Sequence, residues 1–400
     1  MIPSVRQAYN AAFSQARYEE MLAAFGQLYA NPPLFRIAET PVFVPRALKE
    51  RLLAAGEELI DLLMSDAVQA ELQHAIPPQL YVPNESPHTN FLAIDFAITE
   101  AADGSLMPQL IELQGFSSLN AFFIDFVEQY RRFFPIPEAW PDFFSGLTKT
   151  SYLERFKKLV LNGHDPENVV LLEVKPKIQH TNVDFWATEA RIGVRAVCIS
   201  EVEREGEQLF YRHEGKRIRI RRIFNRVILD DLLKQSDYPY AFNLTEPADV
   251  EWCGHPNWFM KISKFCMPFL KSPYNPDCRL LSEYEGNFPE DLDNYVLKPL
   301  YSFSSAGVEF WVKPEHLAAI APEKHHEWML QRKITYAPLI QTPEGIKVKT
   351  EIRLMYFWED DKARPEPVYN IARLSQGDLI GVKYNQNKTW VGGAIAFFEP

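Results

Sequence analysis

The stretch FLAIDFAITEAADGSLMPQLIELQ, residues 91–114, decides how the rest of the chain is read. Its two runs FLAIDFAI (91–98) and LMPQLIEL (106–113) are strand-like, and Asp103-Gly104 between them is a pair that closes two-residue hairpins. With that pair at the centre of the turn, Asp95 stands directly opposite Glu112. Side chains alternate along a strand, so Gln114 shares their face, while Ala93 and Ala97 leave it uncrowded. Opposed carboxylates repel, and a magnesium ion held by oxygen ligands would neutralise them. A longer loop would separate the two acids and leave each on a solvated face; Pro108 in the second strand makes room for such an irregularity.

Upstream, from Val5 to Ala75, apolar residues recur at helical intervals, as in Met21, Phe25 and Tyr29 and again from Leu48 to Leu72, which predicts a helical cap. Downstream, NVVLLEV (168–174) and VRAVCIS (194–200) flank a helical segment over 182–192, an order that predicts parallel pairing. YRHEGKRIRIRRIFNRVILDDL (211–232) adds two short strands around Glu214-Gly215 and then a helix. WFMKISKFCMPFL (258–270) reads as a helix or helix end, and YVLKPL (295–300) with VEFWV (308–312) as paired strands. WMLQRKI (328–334), KVKTEIRLMYFW (347–358) and PVYNIARLS (367–375) complete a strand-rich lobe suited to an antiparallel sheet.

A chain of 400 residues with 46% hydrophobic and 24% charged types buries sizeable cores, in two or three lobes. A net charge of -11 leaves no basic surplus for a nucleic-acid backbone, and no apolar run spans a membrane. The first twenty residues lack the apolar core of a secretion signal, so a cytoplasmic protein without nucleic-acid or membrane partners is expected. The four cysteines are expected to be reduced, and the spacing of Cys253, His255, Cys266 and Cys278 is not a usual zinc pattern. No G-x-S-x-G elbow is present, and His325 and His326 lie in a charged, surface-like stretch.

Lys298 sits at the base of YSFSSAG (301–307), a loop whose small residues can bring backbone N–H groups to phosphate oxygens. A surface hairpin with a solvent-facing lysine has the same composition, and the loop lacks the G-x-x-x-x-G-K-[ST] pattern. In KVKTEIRLMYFW, Lys347, Lys349, Glu351 and Arg353 alternate with apolar or small neighbours. That charged face is either a solvated outer surface or the floor of a nucleotide site.

In this order the segments resemble the circularly permuted branch of the ATP-grasp superfamily, which includes glutathionylspermidine synthetases and eukaryotic-type glutathione synthetases. The likeness covers roughly residues 88–130 and 165–400. It implies an α+β, circularly permuted ATP-grasp fold with a helical region over 1–85, a metal-binding hairpin and helices over 86–164, a βαβ lobe over 165–250 and nucleotide-binding lobes over 251–400. It implies ATP and Mg2+ as cofactors, the metal on Asp95, Glu112 and Gln114. Lys264 and Lys298 would hold phosphates, Ser304 and Ser305 would lie in the covering loop, and Gln331, Arg332, Lys333 and Ile334 would receive adenine. Arg226, Arg353 and Arg373 would steady an acylphosphate.

The implied activity is a carbon–nitrogen ligase, joining a small-molecule or peptide carboxylate to an amine. Two positions depart from the glutathionylspermidine synthetase pattern: Ala93 stands for an arginine and Gln114 for an asparagine, so glutathione and spermidine do not carry over as substrates. Two other readings are a nucleotide-binding or regulatory protein without ligase chemistry and a sugar- or peptide-binding module built on the aromatic residues.

Overall fold

The computed structural model describes residues 2–29, 32–229, 232, 238–301, 307–377, 385 and 387–400. With strands numbered along the chain, the hairpin is β2 (Phe91–Glu100) and β3 (Leu106–Gln114). It shares one sheet with strands from the far end of the chain: β14 (Ile340–Gln341), β15 (Lys347–Phe357), β16 (Glu366–Ser375) and β17 (Gly392–Ala394). The order is β17-β16-β15-β2-β3, with β14 also beside β15, and every pairing is antiparallel.

The hairpin turn is longer than the expected two residues. Ala101 N–H bonds Ser105 O at 2.8 Å and Gly104 N–H bonds Ala101 O at 2.9 Å, with Gly104 at φ 79°, so residues 102–104 form the loop. This moves the register by one residue as far as Phe96 opposite Leu110. A bulge between Asp95 and Phe96 moves it back, and Asp95 faces Glu112 as expected.

Helices α1 (Pro3–Ala12), α2 (Gln15–Leu28), α3 (Arg46–Met64) and α4 (Asp66–Leu72) make up most of the N-terminal region. Within it, β1 (Val42–Val44) pairs in parallel with β18 (Ala396–Phe398). On α3, Leu48, Leu52, Ala55 and Leu59 are buried at helical spacing, each leucine contributing about 2 kcal/mol. The helix lies against the apolar side of β15: a Cβ on Gly56 would stand 2.1 Å from Tyr356 Oη. Because strand side chains alternate, covering Leu354 and Tyr356 turns Glu351 and Arg353 to the opposite side of the sheet.

The second lobe is a parallel sheet, β10 (Glu251–Cys253), β9 (Arg222–Asn225), β4 (Val169–Glu173) and β5 (Arg195–Cys198), in that order. The crossover helix, α7 in chain order (Asn182–Ile192), matches the predicted segment and ends at Gly193, φ 78°. Val169, Leu171 and Phe224 join the main core while Val170, Leu172 and Ile223 join a local one, so both faces are buried. The short strands β6 (Glu203–Glu205), β7 (Gln208–His213) and β8 (Lys216–Ile220) form an antiparallel meander. The helix read beyond Asn225 falls largely outside the described residues.

The third sheet is β11 (Cys278–Leu280), β13 (Trp328–Arg332) and β12 (Tyr295–Pro299), all antiparallel. Here two expectations change. VEFWV contributes only one bridge, Leu297 to Glu309, and the long partner of β12 is β13. Residues 258–270 are divided between a short helix, Pro256–Lys261, and a 3-10 segment, Lys264–Phe269, where Pro268 lacks the N–H an α-helix would need. Helices α5 (Phe123–Phe133) and α6 (Lys149–Leu161) complete the body. Among the described residues no helix is long and apolar enough to cross a membrane.

Candidate functional site

Two rows of side chains cross the large sheet on its charged face. Glu112, Asp95 and Arg353 are direct neighbours on β3, β2 and β15; in the next row Ala97, Glu351 and Arg373 are neighbours on β2, β15 and β16. Arg353 bonds both oxygens of Asp95, through Nε to Oδ1 and through Nη2 to Oδ2 at 2.7 Å. Arg373 Nη2 bonds Asp95 Oδ2 and lies 2.8 Å from Glu351 Oε2, and Tyr336 Oη donates to Glu351 Oε1. Asp95 is 1% exposed and Glu351 5%, so the centre of this face is not the solvated outer surface that alternation alone allows.

The protonation balance follows from that packing. Burial pushes the Asp95 carboxyl up, but Arg353 and Arg373 outweigh it and hold it below its ordinary value. Glu351 goes the other way: burial raises it, Arg373 opposes and Asp95 adds to the rise. Burial, then the Glu351 charge, holds the Tyr336 phenol well above its ordinary value. Burial works against the Arg373 cation, yet Glu351, Asp95 and Glu112 raise it further still.

From the third sheet, Lys298 on β12 points its ammonium at this face. Burial lowers its pKa, while the charges of Glu112 and Glu351 act to raise it. Its Nζ donates to Oε1 of Gln331, which is 2% exposed and whose Nε2 has no hydrogen-bond partner among the described residues. The neighbouring adenine candidates are arranged differently. Arg332 Nη1 bonds Tyr295 Oη at 3.3 Å; Lys333 Nζ bonds Asp293 O at 2.6 Å and lies 4.4 Å from the Trp311 ring centre; Ile334 is half-buried. Lys264, 7% exposed, opens the 3-10 segment, which runs beside the end of β3 where Gly115 N–H bonds Ile262 O at 2.8 Å. Ser304 and Ser305 lie outside the described residues.

The second lobe presents Arg226 just beyond β9. Its N–H bonds Leu172 O at 2.9 Å, its guanidinium lies 4.6 Å from the Phe116 ring centre, and Nε and Nη1 have no hydrogen-bond partner among the described residues. Burial lowers its pKa against the pull of Glu173 and Asp184. Burial raises Glu173 to about 7, with Arg226 opposing. Asp184 accepts from the N–H groups of Ala121 and Phe122 at 2.8 and 2.9 Å, and its Oδ2 has no hydrogen-bond partner among the described residues. Glu173 and Asp184 were not among the residues singled out from sequence. The position of Glu173 at the carboxyl end of a parallel strand is the signal that would have found it. Tyr336 carries no such signal.

Among the described residues no three His, Cys, Asp or Glu side chains form a group that could hold a metal ion. Magnesium needs less, because it typically takes one or two carboxylates and leaves the other positions to water and phosphate. Half-buried Glu112 and Gln114, the amide donating to the carboxylate, offer such a donor pair. The four cysteines are buried free thiols; among the other members of the weighed zinc spacing, His255 caps the short helix at Pro256–Lys261, and burial lowers it to about 4.

No family model and no curated protein matches this chain. Among solved structures, a glutathione synthetase-like effector from Globodera pallida, in its apoform, superposes with a TM-score of 0.58. The match covers 94% of this chain and 96% of that one at 11% identity. The chain is therefore similar in fold to a glutathione synthetase-like protein, and at that identity the likeness speaks for the fold alone.

Proposed function

We propose that this protein is a circularly permuted ATP-grasp ligase that uses ATP and magnesium to join a carboxylate to an amine through an acylphosphate. The observation that carries the reading is the meeting of Lys298, Arg353 and Arg373 with Asp95, Glu112 and Glu351 between two sheets, one of them closed by an early hairpin. Phosphoryl transfer rests on positioning and charge neutralisation rather than on a protein nucleophile, and this cluster suits it.

In this reading Lys298 and Lys264 hold phosphates and Gln331 to Ile334 receive adenine; Ser304 and Ser305, expected in a covering loop, lie outside the described residues. Glu112 and Gln114 hold the magnesium, which supplies charge neutralisation on the phosphates. A substrate carboxylate oxygen attacks the γ-phosphorus and ADP departs; an amine then attacks the acyl carbon, inorganic phosphate departs and the amine proton passes to water. Arg353 and Arg373 steady the transferring group from the sheet, and Arg226, two of whose nitrogens have no hydrogen-bond partner among the described residues, steadies the acylphosphate from the second lobe. Screening acid and amine pairs for ADP release tests the reading; nucleotide binding with no release from any pair counts against it.

A second reading, a nucleotide-binding protein of the same fold without turnover, is favoured by two observations: the fold neighbour is described as an effector, and Ala93 stands where glutathionylspermidine synthetases carry an arginine. Magnesium-dependent ATP binding without ADP release is its signature.

A further inference from the structure

We propose that Asp95 is a positioning residue, a buried counter-ion that aims Arg353 and Arg373, and that Glu112 is the acid left open to a divalent cation at this site. The cation half rests on the ATP-binding reading; the counter-ion half holds for the free protein.

Both carboxylate oxygens of Asp95 are engaged by arginine. Oδ1 receives Arg353 Nε, and Oδ2 receives both Arg353 Nη2 and Arg373 Nη2. The residue is 1% exposed, and the alanines two positions to either side bring no further donors. A magnesium ion here would have to displace two guanidinium groups and sit among like charges. Glu351, 5% exposed, is held by Tyr336 at Oε1 and by the charge of Arg373 2.8 Å from Oε2, an oxygen without a hydrogen bond among the described residues. Glu112 differs: it is half-buried, its side-chain donor is the neutral amide of Gln114, and it stands beside Asp95 at the edge of the sheet. The three acids thus divide into two counter-ions and one ligand.

Because Arg353 lies directly opposite Asp95 on the neighbouring strand, the bidentate pair fixes the guanidinium plane. Without Asp95, Arg353 and Arg373 repel each other and lose that orientation. Asparagine keeps the shape and one carbonyl oxygen but not the charge.

Two experiments separate this from the ligand reading. In the ligand-free protein, thermal unfolding of Asp95→Asn, Arg353→Met and the double variant gives a cycle. Each single change is expected to lower Tm by roughly 5 °C or more, and the double change no further than the worse single, because a buried charge without its partner is the main cost. Additive losses overturn the counter-ion assignment. A double variant that folds where Asp95→Asn alone does not supports it.

The second experiment measures how much Mg2+ half-saturates the binding of a non-hydrolysable ATP analogue. Asp95→Asn is expected to stay within about twofold of wild type, while Glu112→Gln requires at least about tenfold more. A shift in Asp95→Asn as large as that in Glu112→Gln overturns the assignment of the ligand. Wild-type protein that binds no nucleotide removes the cation half together with the ATP-binding reading, and the thermal cycle still decides the role of Asp95.

Discussion

Lys298 and Gln331 meet diagonally across β12 and β13: the lysine Nζ donates to the amide oxygen, although Met329 is the direct neighbour of Lys298 in the ladder. The contact turns the ammonium toward Glu112 and Glu351 and leaves the Gln331 amide nitrogen without a partner among the described residues. A half-buried cation and a buried unfilled donor side by side suit an anionic, acceptor-rich ligand.

Replacing Lys298 with methionine therefore separates stability from binding. Burial disfavours the lysine cation, so the ligand-free variant is expected to unfold at or above the wild-type temperature. Its affinity for an ATP analogue is expected to fall at least tenfold, about 1.4 kcal/mol. Calorimetry with and without nucleotide checks both; a variant that loses stability but keeps affinity assigns Lys298 to the core alone.

Glu173 gives the fold a pH dependence of defined sign. Its carboxyl titrates at about 7 in the folded protein against an ordinary value of 4.5, so the folded state holds the proton longer than the unfolded chain. Stability from this residue is complete below the unfolded value and is lost as pH rises through the folded one. Relative to Glu173→Gln, wild type is expected to lose up to about 3 kcal/mol between roughly pH 4 and pH 8. Denaturant titrations at several pH values measure it, and parallel stability curves for the two proteins refute it.

Gly115 marks a close approach that ties the hairpin to the segment leading into Lys264. A Cβ there would stand 2.5 Å from the backbone oxygen of Trp258, which no side-chain rotation can relieve. Gly115→Ala is expected to cost about 2 kcal/mol or more and to weaken nucleotide binding by shifting that segment. Equal thermal stability of variant and wild type contradicts the close approach.

The pairing of Asp95 with Glu112 was legible in residues 91–114 only because two irregularities cancel: the turn is one residue longer than Asp103-Gly104 implies, and the bulge before Phe96 restores the register. The helix over 182–192 was legible because Gly193 stops it, and β4, β15 and β16 because their apolar patterns are long. Which way β15 faces was not legible, since alternation looks the same with Glu351 in or out; the docking of α3 on Leu354 and Tyr356 decides it. VEFWV reads as a strand but, among the described residues, makes one bridge, Glu309 to Leu297 on the edge of β12 away from β13. Glu173, Asp184 and Tyr336 are single polar residues whose role depends on what the tertiary fold brings beside them.

The most direct test of the central claim is isothermal titration of wild type and Lys298→Met with a non-hydrolysable ATP analogue, with and without Mg2+. Wild type is expected to bind in a magnesium-dependent manner, with the affinity reduced at least tenfold in the variant. No binding to wild type would contradict the account.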